Sequence, residues 1–250
     1  LAFNQYILSP TLFFFSYKDQ KRFGMSADID TVPHWYITLI HIAISMVVED
    51  TMFYWCHRAL HHPKIYGYIH KVHHQYKTSI GIASEYAHPI EFLFSNALPF
   101  SVGPMLCGMH YYSFLMWSIL RVGETVDGHC GYEFPWSPYR LLPFSGSSTA
   151  HDYHHSHNIG NYASFFSYWD RLMGTDVSFL AYEERLAQAK LAKAASESST
   201  DSLNVNASSS AKESTRAIDH HPVSDATNSS SSAGDSTNHN RQRISSQVGK

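Results

Sequence analysis

The chain has 250 residues, 18 Lys and Arg against 21 Asp and Glu, a formal charge of −3 and 18 histidines. That weakly negative balance argues against nucleic acid as a partner. Three widely spaced cysteines, Cys56, Cys107 and Cys130, form neither a disulfide framework nor a CxxC metal pair and are expected to be free buried thiols.

The average composition hides two unlike parts. Residues 1–180 are rich in Phe, Tyr, Trp, Leu and Ile, whereas 196–250 are dominated by Ser, Asn, Thr, Ala and Asp. The chain opens at Leu1 rather than at methionine, and its first 17 residues are mostly apolar and aromatic. They are expected to be the remnant of a membrane span whose partner lies upstream, so that 1–180 is an N-terminally truncated catalytic domain. No basic segment with a small-residue cleavage site marks a signal peptide. From His34 to Cys56 the only charges are Glu49 and Asp50. As a helix at about 1.5 Å per residue this run crosses a hydrocarbon core of roughly 30 Å and delivers His57 to the membrane surface.

Phe92 to Leu120 contains no Asp, Glu, Lys or Arg, more apolar length than one span needs. Pro99, Gly103, Pro104 and Gly108 interrupt it. It reads as a hairpin of helices at about 90–102 and 109–122, because histidines before and after it must reach one side of the bilayer. Phe92, Phe94, Phe114 and Trp117 are candidate cavity-lining aromatics. Beyond it, 181–195 reads as an exposed helix. Residues 196–250 bury too little apolar surface to offset their ordering entropy and read as a disordered tail, with His220, His221 and His239 solvated.

Nine histidines sit in three clusters: HRALHH (His57, His61, His62), HKVHH (His70, His73, His74) and HDYHH (His151, His154, His155). Residues three and four apart share a helix face, so His70, His73 and His74 are expected to point the same way, as are His151, His154 and His155, and His57 and His61. Nine imidazoles are too many for one ion and about right for two. Imidazole suits zinc, copper, iron or nickel. The clusters contain no cysteine and almost no carboxylate, which disfavours thiolate zinc, iron–sulfur centres and the soluble di-iron pattern. Oxygen activation on a lipid is the favoured chemistry, with a non-catalytic membrane metal-binding protein as the alternative. His129 is a further candidate ligand, His88 a weaker one, and His34, His41, His110 and His157 are assigned to structure or interface. Asp152, Glu49 and Asp50 are candidate carboxylates supporting the ligands from behind. Arg58, Lys64, Lys71, Lys77, Arg140 and Arg171 near the clusters favour a cytosolic site, while Lys18, Lys21 and Arg22 would lie opposite.

From about Glu49 to Phe179 the chain resembles the fatty acid hydroxylase superfamily of membrane di-iron enzymes. Within it, it is most similar to the C-4 methylsterol oxidases. The resemblance rests, in order, on EDTMFYWCHRALHH, YIHKVHHQY, EYAHP (Glu85–Pro89), HCGYEFPWSP (His129–Pro138), HDYHH and GNYASFFSYWDRLMGTD (Gly160–Asp176). It implies an all-α, multi-pass endoplasmic-reticulum membrane bundle with a cytosolic histidine-rich di-metal cap. In such an enzyme two irons and O2 oxidise the 4α-methyl of a 4,4-dimethylsterol to alcohol, aldehyde and carboxylate. Electrons come from NAD(P)H through a reductase and cytochrome b5, and the product passes to a decarboxylating 3β-hydroxysteroid dehydrogenase. The boxes then map onto His57, His61, His70, His73, His74, His151, His154 and His155, with His129 matching a family histidine before Gly-Tyr and His62 the least secure member. Cys130 departs from a serine usual in the family. Sterol desaturases, sterol side-chain hydroxylases and fatty acid hydroxylases of the same superfamily are the alternative activities.

Overall fold

The computed structural model describes residues 2–218. Among them the chain is helical, without a strand; an isolated antiparallel bridge pairs Ser145 with Phe166. A π-helical turn (Asn4–Leu8) leads into α1 (Ser9–Asp19), followed by α2 (Trp35–Leu60), α3 (Pro63–Tyr66), α4 (Pro89–Glu91), α5 (Leu98–Leu106), α6 (Tyr111–Gly128), α7 (Ser148–His157), α8 (Tyr168–Met173) and α9 (Val177–Ile218). Compact units comprise residues 1–190 and 191–250.

α2 is the one helix among the described residues long and apolar enough by itself to cross a membrane. Its amphipathicity is inverted. Thr38, Ser45, Glu49, Asp50 and His57 are buried, whereas Leu39, Ile40, Ile44 and Val47 are exposed. α6 repeats the pattern: Ser113, Trp117, Arg121 and Glu124 face inward, and Leu115, Met116, Ile119, Leu120, Val122 and Val126 face outward. A helix in water shows the opposite arrangement. Part of this polar interior is paired. Thr38 and Ser113 share a 2.8 Å hydroxyl contact, and Arg121 Nε donates to Glu49 Oε1 at 2.7 Å.

The apolar hairpin forms with different boundaries from those expected. Its first arm runs from Pro89 to Leu106 through a π-helical segment, Phe92–Ala97, and the reversal falls at 107–110. Pro99, Gly103 and Pro104 lie within the first arm instead of breaking it. The break is made by Gly108 at φ +56°, with Met109 N–H closing onto the Pro104 carbonyl at 2.9 Å. Trp117 is fully buried, stacks on Phe100 and donates to its carbonyl at 3.1 Å. With Met25, Ile42 and Met109 it forms the apolar core.

α9 contains the expected helix 181–195 and continues over 196–218, where composition alone points to disorder. Alanines at 207, 211 and 217 favour a helical backbone there. Residues 219–250, with His220, His221 and His239, lie outside the described residues.

α2 and α5 approach most closely at Gly103. A β-carbon there would stand 2.5 Å from Ser45 Cα, so only glycine permits this separation. Gly103→Val is expected to cost on the order of 1–3 kcal/mol by overpacking, read as a lower unfolding midpoint in detergent. Wild-type stability in that variant would refute the tight α2–α5 contact.

Candidate metal centre

Nine imidazoles converge from four parts of the chain. His57 ends α2 with His61 just beyond it, His70, His73 and His74 lie on a 3₁₀ turn (His70–Gln75), His129 caps α6, and His151, His154 and His155 lie on α7. They sort into two sets. One comprises His57, His61, His70, His74 and His154; the other comprises His73, His129, His151 and His155. Within each, the nearest ring nitrogens all lie within 4.8 Å of one another. The sets adjoin, since the His74 and His155 rings are 4.6 Å apart.

His57 and His61 stay together as expected, whereas the second and third clusters are divided between the sets rather than each pointing one way. Successive residues on a helix are about 100° apart, so the paired histidines of HDYHH fork: His155 joins His151 one turn back, while His154 faces the other set. The second cluster forks likewise, with His70 and His74 in one set and His73 in the other.

Five rings are anchored through Nδ1 to backbone carbonyls, which can only accept, and a sixth to a buried carboxyl. His57 donates to the Tyr162 carbonyl (2.8 Å), His154 to Gly160 (2.6 Å), His73 to Tyr86 (3.1 Å), His129 to Thr125 (2.8 Å) and His155 to Tyr76 (3.1 Å). His70 donates to Glu91 Oε1 (2.9 Å). Once Nδ1 carries the proton, a neutral ring presents a bare Nε2 lone pair. In each set three rings are held this way, with their Nε2 atoms turned inward.

Neutrality is enforced by the surroundings. Burial, followed by neighbouring imidazoles, pushes His61 down to about 4 and His74 to about 3, and burial alone pushes His73 to about 4. Burial also takes His70, His129, His151 and His154 well below the usual histidine range. Unprotonated lone pairs are thereby forced into close approach. His129 and His73 Nε2 are 3.5 Å apart with both Nδ1 atoms committed, and His57 Nε2 is buried without a partner. Such pairs cannot hydrogen-bond one another; a cation between them resolves the repulsion. His129 and His73 Nε2 at 3.5 Å lie within the roughly 4.2 Å that two metal–nitrogen bonds of about 2.1 Å can span. The donor set thus fits two ions ligated by imidazole alone.

The intervening motifs supply the anchors. In EYAHP, Tyr86 offers its carbonyl to His73, Ala87 accepts from Asn4 Nδ2, and His88 caps α4 through Ile90 N–H. In Gly160–Asp176, Asp170 accepts from Tyr162 N (2.8 Å), Ala163 N (3.0 Å) and Thr175 Oγ1 (2.6 Å), bracing the loop that serves His57 and His154. Gly160 has φ +63°, and a β-carbon there would collide with the Thr175 carbonyl.

Other expected site residues are placed elsewhere. His62 is exposed and accepts from Lys64 N–H at the start of α3, because the chain leaves the helix at His61. Asp152 accepts from Ser79 N–H instead of supporting a ring. Asp50 accepts from Phe165 and Phe166 N–H, one layer behind the anchoring carbonyls, and Glu49 pairs with Arg121. Backbone carbonyls already occupy the sites these carboxylates were expected to fill. His110 caps α6 and bonds the Asp28 carbonyl, and His157 stacks on Tyr153. The carboxylate that does support a ring, Glu91, was not singled out. It stands one residue before the apolar run, and only its polarity at the edge of that run was a signal.

A cavity of about 550 Å³ adjoins the histidines, within the range of small-molecule sites. His57, His70, His73, His129 and His151 form one wall; Phe13, Phe53, Phe92, Phe100 and Phe114 supply apolar surface. Of the aromatics expected there, Phe92 and Phe114 line it. Phe94 is exposed on the outer surface, and Trp117 packs in the core.

Helices that turn polar groups inward and apolar groups outward, around two adjoining all-imidazole clusters beside a cavity, define a histidine-box protein whose clusters could each hold a metal ion. Residues 42–175 match the fatty acid hydroxylase family, to which the chain belongs. It is 41% identical to methylsterol monooxygenase 1 of Rattus norvegicus over 186 residues, covering 74% of this chain and 63% of the relative. It is 40% identical to the same-named protein of Gallus gallus over 185 residues, covering 74% and 62%. It is also 46% identical to very-long-chain aldehyde decarbonylase GL1-11 of Oryza sativa subsp. indica over 167 residues, covering 66% and 62%. The chain thus spans about three-fifths of the length of these curated relatives. No solved structure matches it.

Asp170→Asn turns an N–H donor towards a backbone N–H and loosens the loop behind His57 and His154. Losing such a supporting group typically weakens metal binding 10- to 100-fold. Metal analysis is expected to show one of two ions lost, from the five-histidine set, with the four-histidine set still filled; unchanged stoichiometry and affinity would contradict the bracing role. Acid exposes the cost of neutral rings. Unfolded histidines take up protons below about pH 6.5, while folded His61 and His73 do so only near 4. Metal-depleted protein is therefore expected to lose stability progressively as pH falls from about 6.5 towards 4, seen as a falling thermal midpoint. A flat profile across that window would refute the enforced neutrality.

Proposed function

We propose that this chain is an O2-dependent oxidoreductase of the endoplasmic-reticulum membrane, a methylsterol monooxygenase that oxidises the 4α-methyl of a 4,4-dimethylsterol to alcohol, aldehyde and carboxylate. Each round inserts or removes oxygen and hydrogen at one carbon, consuming O2, two electrons and two protons and releasing water. The observation that carries the reading is the pair of all-imidazole sets opening onto an apolar cavity. Two irons held there, by His57, His61, His70, His74 and His154 and by His73, His129, His151 and His155, supply O2 activation when bound. The protein keeps those rings neutral and oriented through their Nδ1 anchors, and seats the methyl against them. Phe53, Phe92, Phe100 and Phe114 hold the apolar body of the substrate and exclude water.

The inverted amphipathicity of α2 and α6 supports a multi-pass membrane bundle. Outward Leu39, Ile40, Ile44, Ile119 and Leu120 suit lipid, and charged Glu49, Arg121 and Glu124 face one another inside. With the α4–α6 hairpin returning to its starting side, the histidine sets lie at one, cytosolic, surface. Electrons from NAD(P)H would enter there through a reductase and cytochrome b5. The carboxylate product would pass to a decarboxylating 3β-hydroxysteroid dehydrogenase.

The 46% identity to the rice protein raises a second reading, action on a long-chain aldehyde. Expression of the full gene in cells lacking their methylsterol oxidase distinguishes the two. Restored sterol synthesis with disappearance of 4,4-dimethylsterols is expected. Persistent 4,4-dimethylsterol, with alkane formed from a supplied long-chain aldehyde, would favour the second.

A further inference from the structure

The cavity beside the histidines has a length and an end. Along α6 it is lined by Phe114, Ser118, Arg121, Thr125 and His129, three or four positions apart and so on one face of the helix. At about 1.5 Å per residue, His129 and Phe114 stand about 22 Å apart along the helix axis. The histidines close the cavity beside the C-terminus of α6. Its other end lies near the tip of the apolar hairpin, where Phe114 in the first turn of α6 meets Phe100 of α5 with ring centroids 5.4 Å apart. Behind that end is a second void of about 30 Å³, bounded by Tyr17, Met25, Pro104, Met105 and Tyr111. Phe13, Ser101 and Phe114 line both spaces and are the partition between them. The partition is braced. Phe100 and Phe114 pack against the core of Met25, Ile42, Met109 and Trp117, and the rings of Phe13 and Phe114 lie 6.1 and 6.4 Å from that of Tyr111.

Resting on the methylsterol reading above, we propose that Phe114, backed by Phe13 and Ser101, is a specificity-determining end wall that sets how long a lipid the cavity accepts. An elongated lipid with its reacting end at the imidazoles extends along the cavity, and its far apolar end meets Phe114. For a sterol reacting at ring carbon 4, that far end is the side chain on the opposite ring. Each methylene that fits against the apolar lining is buried favourably. One that reaches past the wall must displace a ring braced from behind, and such overpacking is costly. The second void is too small to hold a ligand of its own, but it lies directly behind the ring. Removing the ring therefore joins the two spaces and lengthens the cavity, whereas filling the junction at Ser101 shortens it.

The test measures equilibrium binding of radiolabelled 4,4-dimethylsterols to the full-length protein in nanodiscs without O2, corrected with empty nanodiscs. The side chain is absent, natural or lengthened carbon by carbon. Wild-type affinity is expected to rise about fourfold with each methylene that fits, then to fall about 10-fold once the tail passes the wall. Phe114→Ala should move that cut-off to longer tails. Ser101→Leu should move it to shorter ones, with the sterol lacking a side chain bound as in wild type. Phe94→Ala, on the outer surface, should leave the cut-off in place. Wild-type affinity that climbs steadily through the whole series would overturn the proposal, as would an unchanged cut-off in folded Phe114→Ala or Ser101→Leu protein. If Phe114→Ala does not fold, the wild-type series and Ser101→Leu decide. A parallel series of saturated long-chain aldehydes keeps the two readings apart. Aldehyde binding with a length cut-off that Phe114→Ala shifts, and no sterol binding, would reject the methylsterol reading and leave the end wall standing.

Discussion

Everything near the site depends on where each imidazole proton sits. A backbone carbonyl can only accept, so the five histidines that meet one through Nδ1 have no choice of tautomer, and Glu91 holds the His70 ring through the same nitrogen. Their Nε2 lone pairs then point inward, at distances where lone pairs repel. The protein accepts that repulsion because the rings are too deeply buried to protonate, and a bound cation in each set would relieve the strain. A cluster of exposed histidines would relax by protonation or rotation instead.

That constraint explains the irregular chain around the sets. The segment from Gly160 to Thr175 has little regular secondary structure before α8, yet its carbonyls must stand within about 0.2–0.3 Å of ideal donor distance from His57 and His154. Asp170 gathers its N–H groups, Thr175 closes it onto Asn161 N–H, and Asp50 catches the next two N–H groups from α2. Buried carboxylates so used place backbone rather than metal, which is why they lie behind the site and not in it.

The same logic extends along the helices. Arg121 bridges Glu49 of α2, Glu124 of its own helix and Ser164 of the loop, tying three elements together beside the cavity. With the charged groups of α2 and α6 turned inside, the outer faces are free to be apolar. Burying charge in this way is expensive unless the partners are complete, and here each arm of the guanidinium has one.

By itself the sequence determined a great deal: three histidine clusters, an apolar hairpin between the second and third, absence of thiolate or carboxylate ligands in the boxes, and a family signature. Periodicity and composition are local properties, and these features are local. Tertiary structure decided how the clusters divide, because adjacent histidines on one turn diverge and only the opposing elements determine which ring meets which. It decided that His62 leaves the set, since α2 gives way to a separate turn at His61. It narrowed the hairpin's reversal from about 103–108 to 107–110, with Gly103 and Pro104 kept within the first helical arm. It also replaced the expected carboxylates with carbonyls from residues as distant as Tyr162, and chose Glu91. No spacing rule announces a hydrogen bond between His70 and a residue 21 positions away; that contact exists only once two separate segments are packed against each other.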